Sequence, residues 1–153
     1  MIEIYTDGAS KGNPGPGAYA AILQYKGHEK VLAQGFRKTT NNRMELLAVI
    51  ASLEALKNEN QCVHIYSDSK YVVDAVEKGW LRKWMKHGFK ARKNVDLWKR
   101  FWALSQKQDI ALHWVKGHDG HNMNERCDRL AVAHIKKGPL FPDEGYEKIQ
   151  DRS

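Results

Sequence analysis

The sequence predicts an α/β domain with its elements in the order βββαβααβα. Two observations lead to this order. Period-two runs fill the first quarter of the chain, and strand-like and helical patterns alternate after it. The 153 residues fit one domain, and a chain of this length buries about 70% of its unfolded surface. A hydrophobic fraction of 42% with charges interleaved argues against disorder.

Ile2, Ile4 and Thr6 alternate with Glu3, Tyr5 and Asp7, which predicts a strand ending at the Gly/Pro-rich stretch from Gly8 to Gly17. Ala18 to Tyr25 and Val31 to Phe36 flank Lys26-Gly27-His28, completing an antiparallel meander. Asn41-Asn42 offers an N-cap for a helix over Met44 to Lys57, which is rich in Leu and Ala and free of Gly and Pro. Val63 to Tyr66 reads as a strand, and Ser67-Asp68-Ser69 leads into a helical segment that ends near Gly79. From Asn94 to Lys107, Trp98, Phe101, Trp102 and Ser105 recur at helical spacing. A strand over Ile110 to Val115 and a helix from Asn124 to Lys137 close the domain at residues 1–137. After Gly138-Pro139 the chain is polar, with a second proline at Pro142, and reads as a flexible tail over 138–153.

The longest apolar run, Leu46 to Ala51, is far below the roughly 18–20 residues of a membrane span, and the N-terminus has no signal-peptide pattern. Cys62 and Cys127 make neither a disulfide framework nor a four-ligand zinc site, which suits a reducing cytoplasm. His118, His121 and Cys127 fit no common zinc-finger spacing. The 25 basic against 18 acidic residues leave a net charge of +7, a balance that suits a polyanion and equally a solvated basic surface.

Four acids stand at element boundaries: Asp7, Glu45, Asp68 and Asp128. Taken singly, each reads as well as a cap or a solvated carboxylate. In open α/β sheets the ligand crevice lies beyond the carboxyl ends of strands, so Asp7 and Asp68 meet there if their strands are parallel neighbours. Spacing alone does not bring all four together.

The surrounding segments add to this. IYTDGASKGNPGPG, TTNNRMELLA, IYSDSKYV, NVDLW, HWVKGHDGH and NERCDRLA resemble, in order and spacing, the bacterial ribonuclease H type 1 family from Met1 to about Lys137. The resemblance implies a mixed five-stranded sheet with flanking helices and hydrolysis of the RNA strand of an RNA/DNA hybrid. It implies that Asp7, Glu45, Asp68 and Asp128 are metal-binding carboxylates, with Asp7 bridging two ions. Hard oxygen ligands in one crevice select Mg²⁺, or Mn²⁺, and two ions with substrate support in-line attack that leaves 5′-phosphate and 3′-hydroxyl ends. His118 matches the family's catalytic-loop histidine, while Asp119 departs from the small neutral residue usual beside it.

Gly12 to Gly17 lacks a Walker lysine, and its prolines remove N–H donors, so it is not a nucleotide-phosphate loop. The family positions instead make Asn13 and Thr40 contacts to a DNA-strand phosphate, with the Gly8 backbone, Asn41 and Asn42 near the shallow groove, where 2′-hydroxyls distinguish RNA. Lys70 replaces a glutamine common in bacterial relatives, and Asn124 matches a groove-side polar residue that a helix N-cap explains equally well. The insert at about 79–93 carries Arg82, Lys83, Lys86, Lys90, Arg92 and Lys93 without an acid, interleaved with Trp80, Trp84 and Phe89. It corresponds to the basic protrusion with which relatives grip the hybrid; the alternative is a solvated helix whose aromatics pack inward, as Trp84 is expected to do. The expected partner is an RNA/DNA hybrid bound by a monomer, with no membrane and no organic cofactor. A catalytically silent hybrid-binding module of the same fold would lack a carboxylate. A transposase or junction resolvase shares the acids but leaves the insert and the NNRMEL segment unexplained.

Overall fold

The computed structural model describes residues 1–90, 92–116 and 122–151. β1 (Ile2–Ser10), β2 (Gly15–Tyr25) and β3 (His28–Thr39) form the expected meander. Its second hairpin turns on Lys26 and Gly27, both at positive φ (46° and 79°), as a two-residue turn matched to strand twist requires. The first strand runs past the predicted stop near Gly8: Asp7 pairs with Ala20 and Ser10 with Gly17, so the Gly/Pro stretch supplies a hairpin and part of two strands.

α1 (Asn41–Glu54) follows β3, and Thr40 is its N-cap, accepting at Oγ1 from the Arg43 amide at 3.3 Å. The expected Asn41-Asn42 cap is therefore corrected: Thr40 holds extended backbone, and both asparagines already lie in the exposed first turn. β4 (Cys62–Ser67) lies parallel to β1, and β5 (Asp109–Trp114) parallel to β4. Between β4 and β5 stand α2 (Lys70–Glu77), α3 (Trp80–Lys86) and α4 (Val95–Ser105), where the periodicity predicted two helices. The additional helix lies inside the insert, and its single buried residue, Leu81, leaves almost no apolar periodicity to read. Trp84 does turn inward, edge-on to Trp98 with ring centroids 5.8 Å apart.

α5 (Asn122–Lys137) packs over β1, β2 and β3. The sheet separates two apolar layers. On one face Ile2, Ile4, Val63, Ile65 and Leu112 meet the apolar faces of α1, α2 and α4; on the other, Tyr5, Ala18, Ala20 and Ile22 meet Cys127 and Ala131 of α5. Alternation along each strand sends neighbours to opposite layers.

The segment after Lys137, read from the sequence as a flexible tail, instead packs on the domain. β6 (Leu140–Phe141) pairs parallel with β3, so the sheet has six strands in the order β5-β4-β1-β2-β3-β6, where five were expected. α6 (Glu144–Asp151) follows it. Asp143 explains the packing. It is buried, and its carboxylate accepts from Nε of Arg43 at 2.8 Å, from NH2 of Arg43 at 3.0 Å and from the Thr39 hydroxyl at 2.7 Å. Asp96 accepts two further bonds from the Arg43 guanidinium, at 2.9 and 2.7 Å. One buried cation thus ties α1, α4 and the C-terminal segment together. Among the described residues no helix is long and apolar enough to cross a membrane.

Candidate active site

The parallel pairing of β1 with β4 runs from Ile2↔Val63 to Tyr5↔Tyr66, after which the two chains diverge. Asp7 and Asp68 stand just beyond that point. An oxygen from each, together with one from Glu45, lies within 4.8 Å of the others. Asp128, on α5, is near enough to Asp7 for its charge to raise the Asp7 carboxyl. The structure therefore brings together the four acids that spacing alone left apart.

Each is held by backbone. Glu45 falls one turn into α1, where its Oε1 accepts from the Gly8 amide. A Cβ at Gly8 would sit 2.3 Å from both the Met44 carbonyl carbon and the Glu45 nitrogen, so only glycine lets α1 rest directly on β1. Asp68 sits between Ser67, whose Oγ accepts from the Ser69 amide, and Ser69, the N-cap of α2. Trp114 pins it from β5, donating from Nε1 to the Asp68 carbonyl at 3.1 Å. Asn124 donates from Nδ2 to the carbonyls of Thr6 (3.2 Å) and Tyr66 (3.1 Å), clasping β1 to β4 as they part and fixing the start of α5 one turn before Asp128. It is the third residue of α5 and so is not that helix's cap, which corrects the capping role the sequence allowed.

The electrostatics follow from this crowding. Burial, and then the charges of Asp68 and Asp128, push the Asp7 carboxyl up to about 8. Burial, and then Asp7 and Asp68, hold Glu45 well above the usual carboxylate range. Such a set is at ease only when protonated or when a cation neutralises it. An all-carboxylate donor set fits a hard divalent ion, since these oxygens are the ligands such ions prefer.

Around this centre, Asn13 Oδ1 accepts from the Asn41 amide at 3.1 Å, joining the β1–β2 hairpin to the start of α1 beside Thr40 and Asn42. Lys70 opens α2 with its Nζ 4.6 Å from the Trp114 ring centroid. On α3 and the chain after it, Trp80, Lys83, Trp84, His87, Lys90 and Arg92 enclose a recess of 560 Å³. Arg82 is not part of it and faces a separate recess with Phe101 and Trp102. Lys86 is exposed and lines neither of them. His118 and Asp119 lie outside the described residues.

The RNase H family model matches residues 1–136. The chain belongs to the RNase H family. The ribonuclease H of Desulforamulus reducens is 55% identical over 144 residues, covering 91% of this chain and 90% of that one. LC9-RNase H1, a type 1 RNase H with the type 2 active-site motif, superposes with a TM-score of 0.80 at 28% identity, covering 90% of this chain and 73% of its own. LC11-RNase H1, solved in complex with an RNA/DNA hybrid, has the same fold with a TM-score of 0.67 at 22% identity, covering 90% and 98%.

Trp114 was missed by the sequence reading although it stands in the HWVKGHDGH segment. A tryptophan near the carboxyl end of the strand pattern Ile110 to Val115 is the signal that marks it, and the structure leaves its indole exposed. Gly8 was noticed for its amide, whereas its lack of a side chain matters as much. Gly8→Ala is expected to destabilise the protein by about 3 kcal/mol and to depress turnover, because α1 must lift away and carry Glu45 with it. Urea unfolding measured beside activity checks this; an unchanged midpoint refutes the backbone contact.

Proposed function

We propose that this enzyme is an endonuclease that hydrolyses the RNA strand of RNA/DNA hybrids by two-metal-ion catalysis, with Asp7, Glu45, Asp68 and Asp128 as its metal ligands. The observation that carries the reading is the carboxylate cluster at the divergence of β1 and β4. The four carboxylates would hold Mg²⁺ or Mn²⁺, which would supply an activated water and charge neutralisation for in-line hydrolysis to 5′-phosphate and 3′-hydroxyl ends.

The chain's own residues set the geometry. Asp7 shares the cluster with Asp68 and Glu45 and feels the charge of Asp128, which supports the bridging role given to it. Gly8 N–H orients Glu45, Trp114 holds the Asp68 backbone, and Asn124 ties the ends of β1 and β4 together. Asn13, Thr40, Asn41, Asn42 and the Gly8 backbone face the shallow groove, where amides and hydroxyls match 2′-hydroxyls and a DNA-strand phosphate without reading bases. Lys70 adds a charge beside that groove. Trp80, Lys83, Lys86 and Lys90 grip the backbone farther out, as a monomer. Mg²⁺-dependent digestion of a labelled hybrid beside RNA/RNA and DNA/DNA duplexes tests the whole. Cleavage in excess chelator, or equal cleavage of DNA/DNA, overturns it.

His118 assists by moving a proton or accompanying the departing phosphate. His118→Ala is expected to slow turnover without abolishing it and to leave hybrid affinity nearly unchanged; rates equal to the parent across about pH 6–9 refute the role.

Replacing Lys83, Lys86 and Lys90 together with Ala should raise KM, leave kcat at saturating hybrid near the parent value, and flatten log affinity against log salt. Each lost phosphate contact removes about 0.9 from that slope on a B-form duplex. Arg82→Ala should change the slope less than Lys83→Ala, since Arg82 faces the other recess. Salt-dependent binding isotherms decide both.

A further inference from the structure

At the end of β4 remote from the carboxylates, Cys62 and His64 project from the sheet face that α5 covers over β1 to β3, with His113 of β5 beside them. Their neighbours Val63, Ile65 and Leu112 point into the opposite core, which fixes the side. His64 is engaged at both ring nitrogens. Its Nδ1 lies 2.7 Å from Nε2 of His113, and its Nε2 lies 3.6 Å from the Sγ of Cys62. The two imidazoles are nearly parallel, 11° apart with centroids 5.0 Å apart, and a nitrogen separation of 2.7 Å makes the contact a hydrogen bond.

From this arrangement we infer that Cys62 and His64 form a chelate for a borderline transition ion such as Zn²⁺, with His113 as the outer partner that orients His64. In the tautomer where His64 Nδ1–H donates to His113, the Nε2 lone pair is left facing the thiol. Zinc–sulfur and zinc–nitrogen bonds of about 2.3 and 2.05 Å at a tetrahedral angle span about 3.6 Å between the two donors. That is the separation already present. A metal-bound histidine whose other N–H is held by a fixed acceptor is the usual arrangement in such centres.

Binding releases the thiol proton to solvent as the thiolate takes the metal, and the remaining positions belong to water. A thiolate–imidazole pair selects a different class of ion from the hard carboxylate cluster. The two sites are also apart: Asp68 lies six residues beyond Cys62, about 20 Å along an extended strand.

Co²⁺ titration of the reduced full-length protein tests the assignment independently of RNA cleavage. Ions held by the carboxylates give no thiolate band, and Cys127 is buried with its thiol donating to the Tyr5 carbonyl, which leaves Cys62 as the exposed thiol. A thiolate-to-cobalt charge-transfer band in the near ultraviolet should saturate at one ion per chain. Cys62→Ser should abolish it. His64→Ala should weaken cobalt binding at least tenfold, and His113→Gln by about 10- to 100-fold with the band retained. No band in the parent protein, or a band with unchanged affinity in His64→Ala, overturns the chelate. Unchanged affinity in His113→Gln overturns the role given to His113.

Discussion

Asp7→Asn is expected to abolish hybrid cleavage while making the metal-free protein more stable at neutral and alkaline pH. Loss of activity follows from removing the carboxylate at the centre of the cluster. The gain in stability follows from the same crowding. Asp7 holds its proton up to about pH 8 in the folded protein, against an ordinary value of 3.8. Between those values the folded state binds the extra proton, so stability contributed by the protonated group falls as pH rises from about 4 through 8. Asparagine has no proton to lose. In excess chelator the variant should therefore match the parent near pH 4 and exceed it at pH 8 by at least ~2 kcal/mol, roughly 4–8 °C in Tm for a chain of this size. Divalent ions should restore the parent and stabilise the variant less. Thermal unfolding of both proteins across pH, with and without Mg²⁺, checks each part. Full cleavage by the variant, or a stability difference that shrinks toward pH 8, rejects the electrostatic account.

Asp143→Ala should produce the largest loss of stability outside the apolar core. It leaves the Arg43 guanidinium, whose side chain is 1% exposed, with Asp96 as its remaining carboxylate partner and strips the Thr39 hydroxyl of its acceptor. Asp96 still neutralises Arg43, so the cost lies at the low end of that for breaking a buried ion pair, about 3 kcal/mol, and comes from leaving Nε of Arg43 and the Thr39 hydroxyl buried without their acceptor. A fall of about 10 °C in Tm is expected. Arg43→Met beside Asp143→Leu should recover part of it, since replacing both partners by apolar groups removes the buried guanidinium donors left unpaired, while Asp96, 39% exposed, is open to water. Calorimetry on the two singles and the double separates the pair's coupling from the packing of β6 and α6; a fall under 1 kcal/mol in Asp143→Ala shows that the C-terminal segment is held by other contacts.

These residues also show what the sequence could and could not disclose. The meeting of Asp7 and Asp68 was legible only in part: both sit where strand patterns end, but it required β1 and β4 to be parallel neighbours, which element order does not fix and the pairing supplies. The meander was legible from Lys26-Gly27. Convergence of Glu45 and Asp128 was not, since helix position fixes neither the tilt of α1 nor the seat of α5; the family motifs supplied that expectation. Thr40 lost to Asn41 as the expected cap because both residue types cap well and the choice rests on which of them keeps extended backbone. The fate of the C-terminal segment was hidden for a different reason. Leu140 and Phe141 are two exposed apolar residues among polar ones, and Asp143 is an ordinary acid until Arg43, a hundred residues earlier, is placed against it.

That hundred-residue separation bears on how the protein is made. Arg43 leaves the ribosome long before Asp143, so the nascent chain can assemble β1 to β4 around a guanidinium that has Asp96 as a partner and lacks the second. Domains acquire structure from the N-terminus as synthesis proceeds. Here the last partner arrives after the sheet's central strands, and a chain stalled before Asp143 carries every metal-binding candidate yet lacks the clamp that fastens α1. A chain truncated before Asp143 should therefore unfold more readily and be cleared faster by proteases than one that carries it.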